Sequence, residues 1–217
     1  MATTTELQVK ELELAARTRL RPPSGDGAES AARAVTEVAS QGGLAEVTYG
    51  FADSPTGRLL LALTRRGLVT LAFPGQGMDE PLDRLSREVS PRIVESQAAT
   101  DGVRRELDSY FEGRLRSFST PVDLRLIHAT FGRKVLEQTS RIPFGSVSTY
   151  REVAARAGSP RGMRAAGNAL GANPIPIVVP CHRVVRTGGG LGGYTSGLDI
   201  KRLLLRLEGV LPAEEED

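Results

Sequence analysis

Short apolar runs, each cut off by glycine or proline, set the pattern from residue 44 onward. Val47-Thr48-Tyr49-Gly50-Phe51 has strand composition, and the turn Asp53-Ser54-Pro55-Thr56-Gly57 leads into Leu59-Leu60-Leu61-Ala62-Leu63. Arg66-Gly67 then turns into Leu68-Val69-Thr70-Leu71-Ala72-Phe73. Apolar runs of this length between such turns predict an antiparallel meander. The period next lengthens, and residues 80–90 and 100–113 predict helices. In the second, Val103, Leu107, Tyr110 and Phe111 share a face and Gly113 is the stop. Residues 118–126, with Pro121, read as a connector. Residues 44–125 are thus expected to form a small α+β domain of structural role.

The remainder, 126–210, reads as mostly helical. Residues 131–141 predict a helix with Phe131, Val135 and Leu136 on one face, stopped by Ile142-Pro143-Phe144-Gly145. Thr149-Tyr150-Arg151-Glu152 fits a capping box, with a hydroxyl at the cap and a glutamate three residues on. The helix it opens should end at Gly158. Ser159 and Pro160 predict a restart, with serine as cap and proline in first position. Helix, tight turn, helix is a helix-turn-helix. The second helix is slim, rich in Ala and Gly, with Arg161 and Arg164 near its start. A glycine inside a helix costs up to about 1 kcal/mol against alanine, so Gly162 and Gly167 need a reason. Either the helix packs tightly inside the domain, or another surface approaches it closely. A slim helix with one long arginine could enter a DNA minor groove. Residues 199–207 predict a final helix. Residues 1–43, interrupted by Pro22-Pro23-Ser24-Gly25, read as a flexible or loosely docked extension without chemistry. The acidic tail, 211–217, is expected to be disordered towards its end.

Composition is that of an ordinary globular chain, with 40% hydrophobic and 25% charged residues in 217. One cysteine excludes an internal disulfide framework and a cysteine-rich zinc site, and it suits a reducing cytoplasm. No apolar run is long enough to cross a membrane, and no secretory signal is evident. The net charge of +2 conceals an asymmetry. Residues 131–207 carry twelve Lys and Arg against three acidic residues, a balance of +9, and the rest carries −7. A basic half points to a polyanionic partner or to a solvated charged surface.

The candidate chemistry lies in Pro180-Cys181-His182-Arg183-Val184-Val185, which holds the one cysteine and one of two histidines. The other, His128, is expected to be non-catalytic. Before the motif, Asn173-Pro174-Ile175-Pro176-Ile177-Val178-Val179 reads as a short buried extended segment kept out of a central sheet by its prolines. A thiol is a nucleophile only as thiolate and needs a base or a positive field nearby. Adjacent side chains on an extended chain face opposite ways, so His182 reaches Cys181 only if the backbone turns there or a water bridges them. Glu208, at the end of the last helix, is the carboxylate placed to orient His182. A lone cysteine is more often a small buried apolar residue, so the surroundings must carry the case. Past the motif, residues 186–197 form a glycine-rich loop without the context of a dinucleotide or phosphate loop. A loop that closes on a small ligand fits better.

The Cys-His motif resembles the active-site motif of the O6-alkylguanine-DNA alkyltransferases. Ile142-Pro143-Phe144-Gly145, Tyr150, Arg164-Ala165, Gly167, Asn173-Pro174, Gly193-Tyr194, Gly197-Leu198, Lys201 and Glu208 fall in the same register. The resemblance is strong over 131–208 and weaker over 44–125. It implies a DNA-repair protein consumed by its own reaction, without metal or cofactor. Its partner would be double-stranded DNA containing alkylated guanine, bound as a monomer or cooperatively. The damaged base would be flipped into a pocket, with O4-methylthymine a second candidate substrate. Cys181 would take the alkyl group, His182 would act as base through a water, and Glu208 would orient it. Tyr150 would donate to a ring nitrogen, and Asn173 would brace the turn before the motif. Val184, Tyr194 and Thr195 would meet the base. Arg164 would fill the gap left by the extruded nucleotide, with Phe131, Tyr150, Arg151, Ala165 and Gly167 on the DNA-binding face. Met163, Gly132 and Thr195 depart from the residues common in that family. Three rivals stand beside this reading. A lesion-binding protein without transfer would lack the nucleophile. A helix-turn-helix transcription factor would carry a polar recognition helix. A thiol hydrolase would leave the slim basic helix unexplained.

Overall fold

A computed structural model describes residues 45–74 and 79–212; the extension 1–43 and the tail beyond 212 lie outside the described residues. The expected meander is present as β1 (Val47–Ala52), β2 (Leu59–Thr64) and β3 (Gly67–Ala72). β1 and β2 pair antiparallel with Gly50 opposite Leu61, and β2 and β3 pair antiparallel with Leu61 opposite Leu71. After α1 (Asp79–Glu88), a fourth strand, β4 (Ile93–Glu95), joins parallel to β1, giving the order β3-β2-β1-β4. The sequence pattern did not announce β4. Its apolar stretch is two residues, too short to show a period, and parallel pairing requires a crossover, which α1 supplies.

α2 (Gln97–Phe111) covers one face of the sheet, its start capped by the Ser96 hydroxyl accepting from the Ala99 amide. Strand alternation sends Leu59 and Leu61 to the same cluster as Val103, Leu107 and Tyr110 of α2. Ala62 and Val69 join Leu85 of α1 on the other face. The larger core continues without a break through Val135, Ile175 and Leu204. Beyond a 3₁₀ turn at Leu124–Leu126 come α3 (Thr130–Thr139), β5 (Ser148–Thr149) and α4 (Tyr150–Arg156). Then follow α5 (Met163–Gly171), a 3₁₀ turn at Cys181–Arg183, β6 (Val184–Val185) and α6 (Leu198–Leu207). Among the described residues no helix is long and apolar enough to cross a membrane.

The capping box forms as expected: the Thr149 hydroxyl accepts from the Glu152 amide, and the Glu152 carboxylate accepts from the Thr149 amide. The restart at Ser159 does not. The Ser159 amide still donates to the Ala154 carbonyl, so this residue closes α4, and α5 begins at Met163 with Gly162 as its N-cap. Gly162 therefore sits outside the helix interior. A Cβ there would lie 2.7 Å from the Ser159 hydroxyl and 3.1 Å from the Phe131 ring, so internal packing alone accounts for this glycine. Gly167 differs: a Cβ would lie 3.9 Å from the Tyr150 ring, an ordinary contact. Packing within the chain does not require a glycine at 167.

The run 173–179 is buried, as expected, but turned rather than extended. The Ile175 amide donates to the Asn173 side chain and the Val179 amide to the Ile175 carbonyl. Ile177 takes a φ of 71°, the one non-glycine residue with positive φ among those described. Alternating prolines cannot pair on both sides, and the Asn173 amide offers the chain a tighter local path. The Pro174 carbonyl accepts from the Leu71 amide, which pins this turn to the outer edge of β3.

Candidate active site

The turn just described sets the position of Cys181. The Asn173 amide is held from three sides: its oxygen accepts from Ile175, and its nitrogen donates to the Val179 carbonyl at 2.8 Å and to the Cys181 sulfur at 3.2 Å. Cys181 begins the 3₁₀ turn, so the backbone does turn between it and His182. The sulfur borders a cavity of about 570 Å³ that Tyr194, Thr195, Asn173, Thr70 and Arg84 also line. Burial pushes the thiol's pKa up; the Asn173 hydrogen bond, the Lys201 charge and the amides of Cys181 and His182 oppose it.

The residues that follow Cys181 enter a buried polar network centred on Glu208. His182 is wholly buried, and its Nε2 lies 2.8 Å from Oε1 of Glu208. Burial lowers the histidine's pKa against the pull of Glu208, so the ring is neutral. A carboxylate only accepts, so Nε2 carries the proton and Nδ1 is left as the basic nitrogen. Nδ1 is buried and has no hydrogen-bond partner among the described residues. Glu208 also accepts from Tyr110 at 2.7 Å and from Nε and Nη2 of Arg183 at 2.8 and 2.9 Å. Burial would raise the Glu208 carboxyl, but hydrogen bonds from His182 and Arg183 outweigh it and hold its pKa at about 2. The fixed charge in this network is the Arg183–Glu208 pair, and His182 is an uncharged base poised beside it.

Lys201 belongs to the site as well. It is wholly buried, and its ammonium donates to the carbonyls of Val184, Leu191 and Gly193, tying the glycine-rich loop to the strand after the thiol. Burial drops its pKa to about 8, and the nearby sulfur opposes that drop. Lys201→Met is expected to slow alkylation of Cys181 by iodoacetamide about tenfold at neutral pH and to move its midpoint to higher pH. An unchanged pH–rate profile would show that the ammonium does not stabilise the thiolate.

The other expected residues divide between the cavity and the outside. Tyr194 points a buried hydroxyl into the site with no hydrogen-bond partner among the described residues, its ring edge-on to Phe73. Thr195 is exposed and its hydroxyl donates to the Gly171 carbonyl at 2.9 Å, closing the loop onto the end of α5. Val184 is buried and pairs with Ser148, so β6 brings the motif beside the start of α4. Tyr150 is half-buried, its hydroxyl 3.5 Å from the Gly193 carbonyl; burial, then the Cys181 charge, raises its pKa. Gly192 is needed here, since a Cβ would meet the Tyr150 hydroxyl at 2.8 Å. Arg151, Arg164 and Ala165 are exposed, while Gly167 and Phe131 are half-buried. They form an outward face on α3 to α5 rather than lining the cavity. His128 stays at the surface, paired with Glu88. Among the described residues no cluster of three or more His, Cys, Asp or Glu could hold a metal ion.

Three contributors were not singled out for chemistry from sequence. Tyr110 lies 98 residues from Glu208 and gave no signal. Arg183 stood inside the motif, and only burial reveals that it neutralises Glu208. Lys201 did leave a trace: it interrupts the apolar stripe of α6 formed with Leu204 and Leu205.

Comparison with known proteins bears on both halves of the chain. A family model described as 6-O-methylguanine DNA methyltransferase, ribonuclease-like domain, matches residues 47–124. One described as 6-O-methylguanine DNA methyltransferase, DNA binding domain, matches residues 130–210. A methylated-DNA–protein-cysteine methyltransferase of Methanosarcina barkeri is 40% identical over 163 residues, covering 74% of this chain and 96% of that protein. The crystal structure of Mycobacterium tuberculosis O6-methylguanine methyltransferase is 37% identical with a TM-score of 0.65, covering 77% of this chain and 96% of that one. Mycobacterium tuberculosis OGT in complex with DNA is 35% identical with a TM-score of 0.64, covering 74% and 92%.

Proposed function

The chain belongs to the O6-methylguanine DNA methyltransferase family, and from that premise we propose that Cys181 is the sulfur that accepts the alkyl group. The reaction is repair of O6-methylguanine in DNA by transfer to a protein cysteine. One observation carries the assignment of the acceptor. The single cysteine borders an open cavity with an amide donor on its sulfur, and the next residue, His182, is an uncharged base held by the Glu208 carboxylate.

The thiolate attacks the alkyl carbon, the C–S bond forms, and the carbon–O6 bond breaks with its electron pair leaving on guanine. The thiol proton passes to Nδ1 of His182 through a bridging water, while Glu208 stabilises the charged ring. Tyr150 donates to a guanine ring nitrogen as negative charge grows there, in a site where few waters screen it. Tyr194 and Thr195 hold the base against the cavity wall. The sulfur keeps the alkyl group as a thioether, so each molecule acts once. A reducing cytoplasm keeps that lone thiol available.

The partner is double-stranded DNA, met by the outward face of α4 and α5. Gly167, which internal packing does not require, keeps that face slim, and Arg164 projects from it. Arg164 fills the stack when the damaged nucleotide swings out. Arg164→Ala is therefore expected to slow transfer from duplex roughly tenfold or more, yet to leave transfer from free O6-methylguanine nearly unchanged. Equal losses on both substrates would remove this role.

Incubation with duplex carrying O6-methylguanine labelled in the methyl group tests the whole reading. One label per protein, recovered on the peptide containing Cys181, is the expected result. Repeated turnover, or label on another residue, would refute it.

A further inference from the structure

Arg183 has a second environment. Besides pairing with Glu208, it forms part of the wall of a different cavity of about 560 Å³. This cavity shares no residue with the one at Cys181, and none of its lining comes from α4 or α5. Its walls come from the stretch after α2, the end of α3 and the turned segment at Ile177-Val178. Three arginines line it, Arg116, Arg141 and Arg183, and no carboxylate does.

The charge there is unbalanced. Arg183 is already neutralised by Glu208. Arg116 lies over the Phe144 ring at 5.6 Å, and neither it nor Arg141 pairs with a carboxylate among the described residues. Arg183 lies against the same ring at 5.9 Å. A guanidinium stacked on a ring keeps its N–H edge directed outward and loses little freedom when it takes up an anion. Arg116, held in this way, and the exposed Arg141 together give a concavity walled by Phe118, Phe144 and Ile177 a positive potential beside apolar sides. Planar forks of this kind match phosphate oxygens in pairs.

We propose that this cavity binds a small phosphate-bearing anion, held by Arg116 and Arg141. The inference does not rest on the role of Cys181. Equilibrium dialysis of the full chain against labelled inorganic phosphate, and separately against labelled ATP, tests it. One saturable site is expected with at least one of the two. Phosphate bound by itself means that the phosphate group suffices, and ATP bound without phosphate means that a nucleotide is the ligand.

The Arg116→Ala/Arg141→Ala variant is expected to weaken binding about tenfold or more. Arg141→Glu, which leaves the Arg116–Phe144 stack in place, should weaken it too. Arg66→Ala/Arg87→Ala, which removes the same charge from exposed positions elsewhere, should change it less than about twofold. Transfer to Cys181 by the first variant should match the unsubstituted protein, which also shows that it is folded. No saturable uptake of either anion up to about 10 mM would overturn the proposal. So would equal weakening in the two double variants, or displacement of the label by undamaged duplex, since the arginines would then be contacting the DNA backbone.

Discussion

Cys181→Ser is expected to abolish methyl transfer, with a loss of roughly 10³-fold or more, because removing the nucleophile removes the step itself. Serine is nearly isosteric, and Asn173 and Lys201 would still surround its oxygen. A hydroxyl, however, ionises far less readily than a thiol. The same surroundings that partly offset burial for sulfur leave a serine protonated. The fold should survive, since the residue is small and a serine oxygen could still accept from the Asn173 amide that now donates to the sulfur. Thermal unfolding should therefore stay close to that of the unsubstituted protein while labelled duplex yields no labelled chain. Transfer persisting in this variant would mean that another group accepts the methyl, and the proposed site would be wrong.

Glu208→Ala is expected to cost about 3–5 kcal/mol of stability, because it leaves the buried Arg183 charge without its partner. Tyr110 and His182 lose a hydrogen bond in the same step. For a chain of this size the loss should lower the melting temperature by about 10 °C. Transfer should fall as well, since His182 would lose the group that fixes its tautomer. Glu208→Gln keeps the volume and should fall between the two.

The pH dependence has a definite sign. The folded carboxyl titrates at about 2, below its ordinary value of 4.5, so the stability it contributes is present above that ordinary value. It fades as pH falls from about 4.5 towards 2, where the carboxylate takes up its proton. Urea midpoints of the unsubstituted protein and Glu208→Gln should thus differ at neutral pH and converge in strong acid. A difference that stays constant over that range would show that the Glu208 charge is not what holds the network.

Much of the fold was legible because local chemistry announces local structure. Three β-strands followed from apolar runs between turns, and α4 followed from Thr149 and Glu152 because a capping box forms within four residues. Ser159-Pro160 misled for the same reason. Its cap signal was local, but the closing hydrogen bonds of α4 had already claimed that serine. The segment before Cys181 advertised burial through its isoleucines and valines, yet apolar character alone does not tell an extended path from a turned one. The Asn173 side chain decided that.

By itself, the order of residues determined that one thiol is the reactive candidate, that a histidine follows it, and that a slim basic helix stands upstream. These properties reside in residue type and short spacing, so no folding is needed to read them. Only the tertiary structure decided the protonation states. Tyr110 lies on α2, His182 and Arg183 on the 3₁₀ turn and Lys201 on α6; the first three act on Glu208 across distances of about 3 Å that the packed core creates, and Lys201 acts on the sulfur through its charge in a buried setting. Charges so far apart along the chain act on one another only after water has been removed from between them.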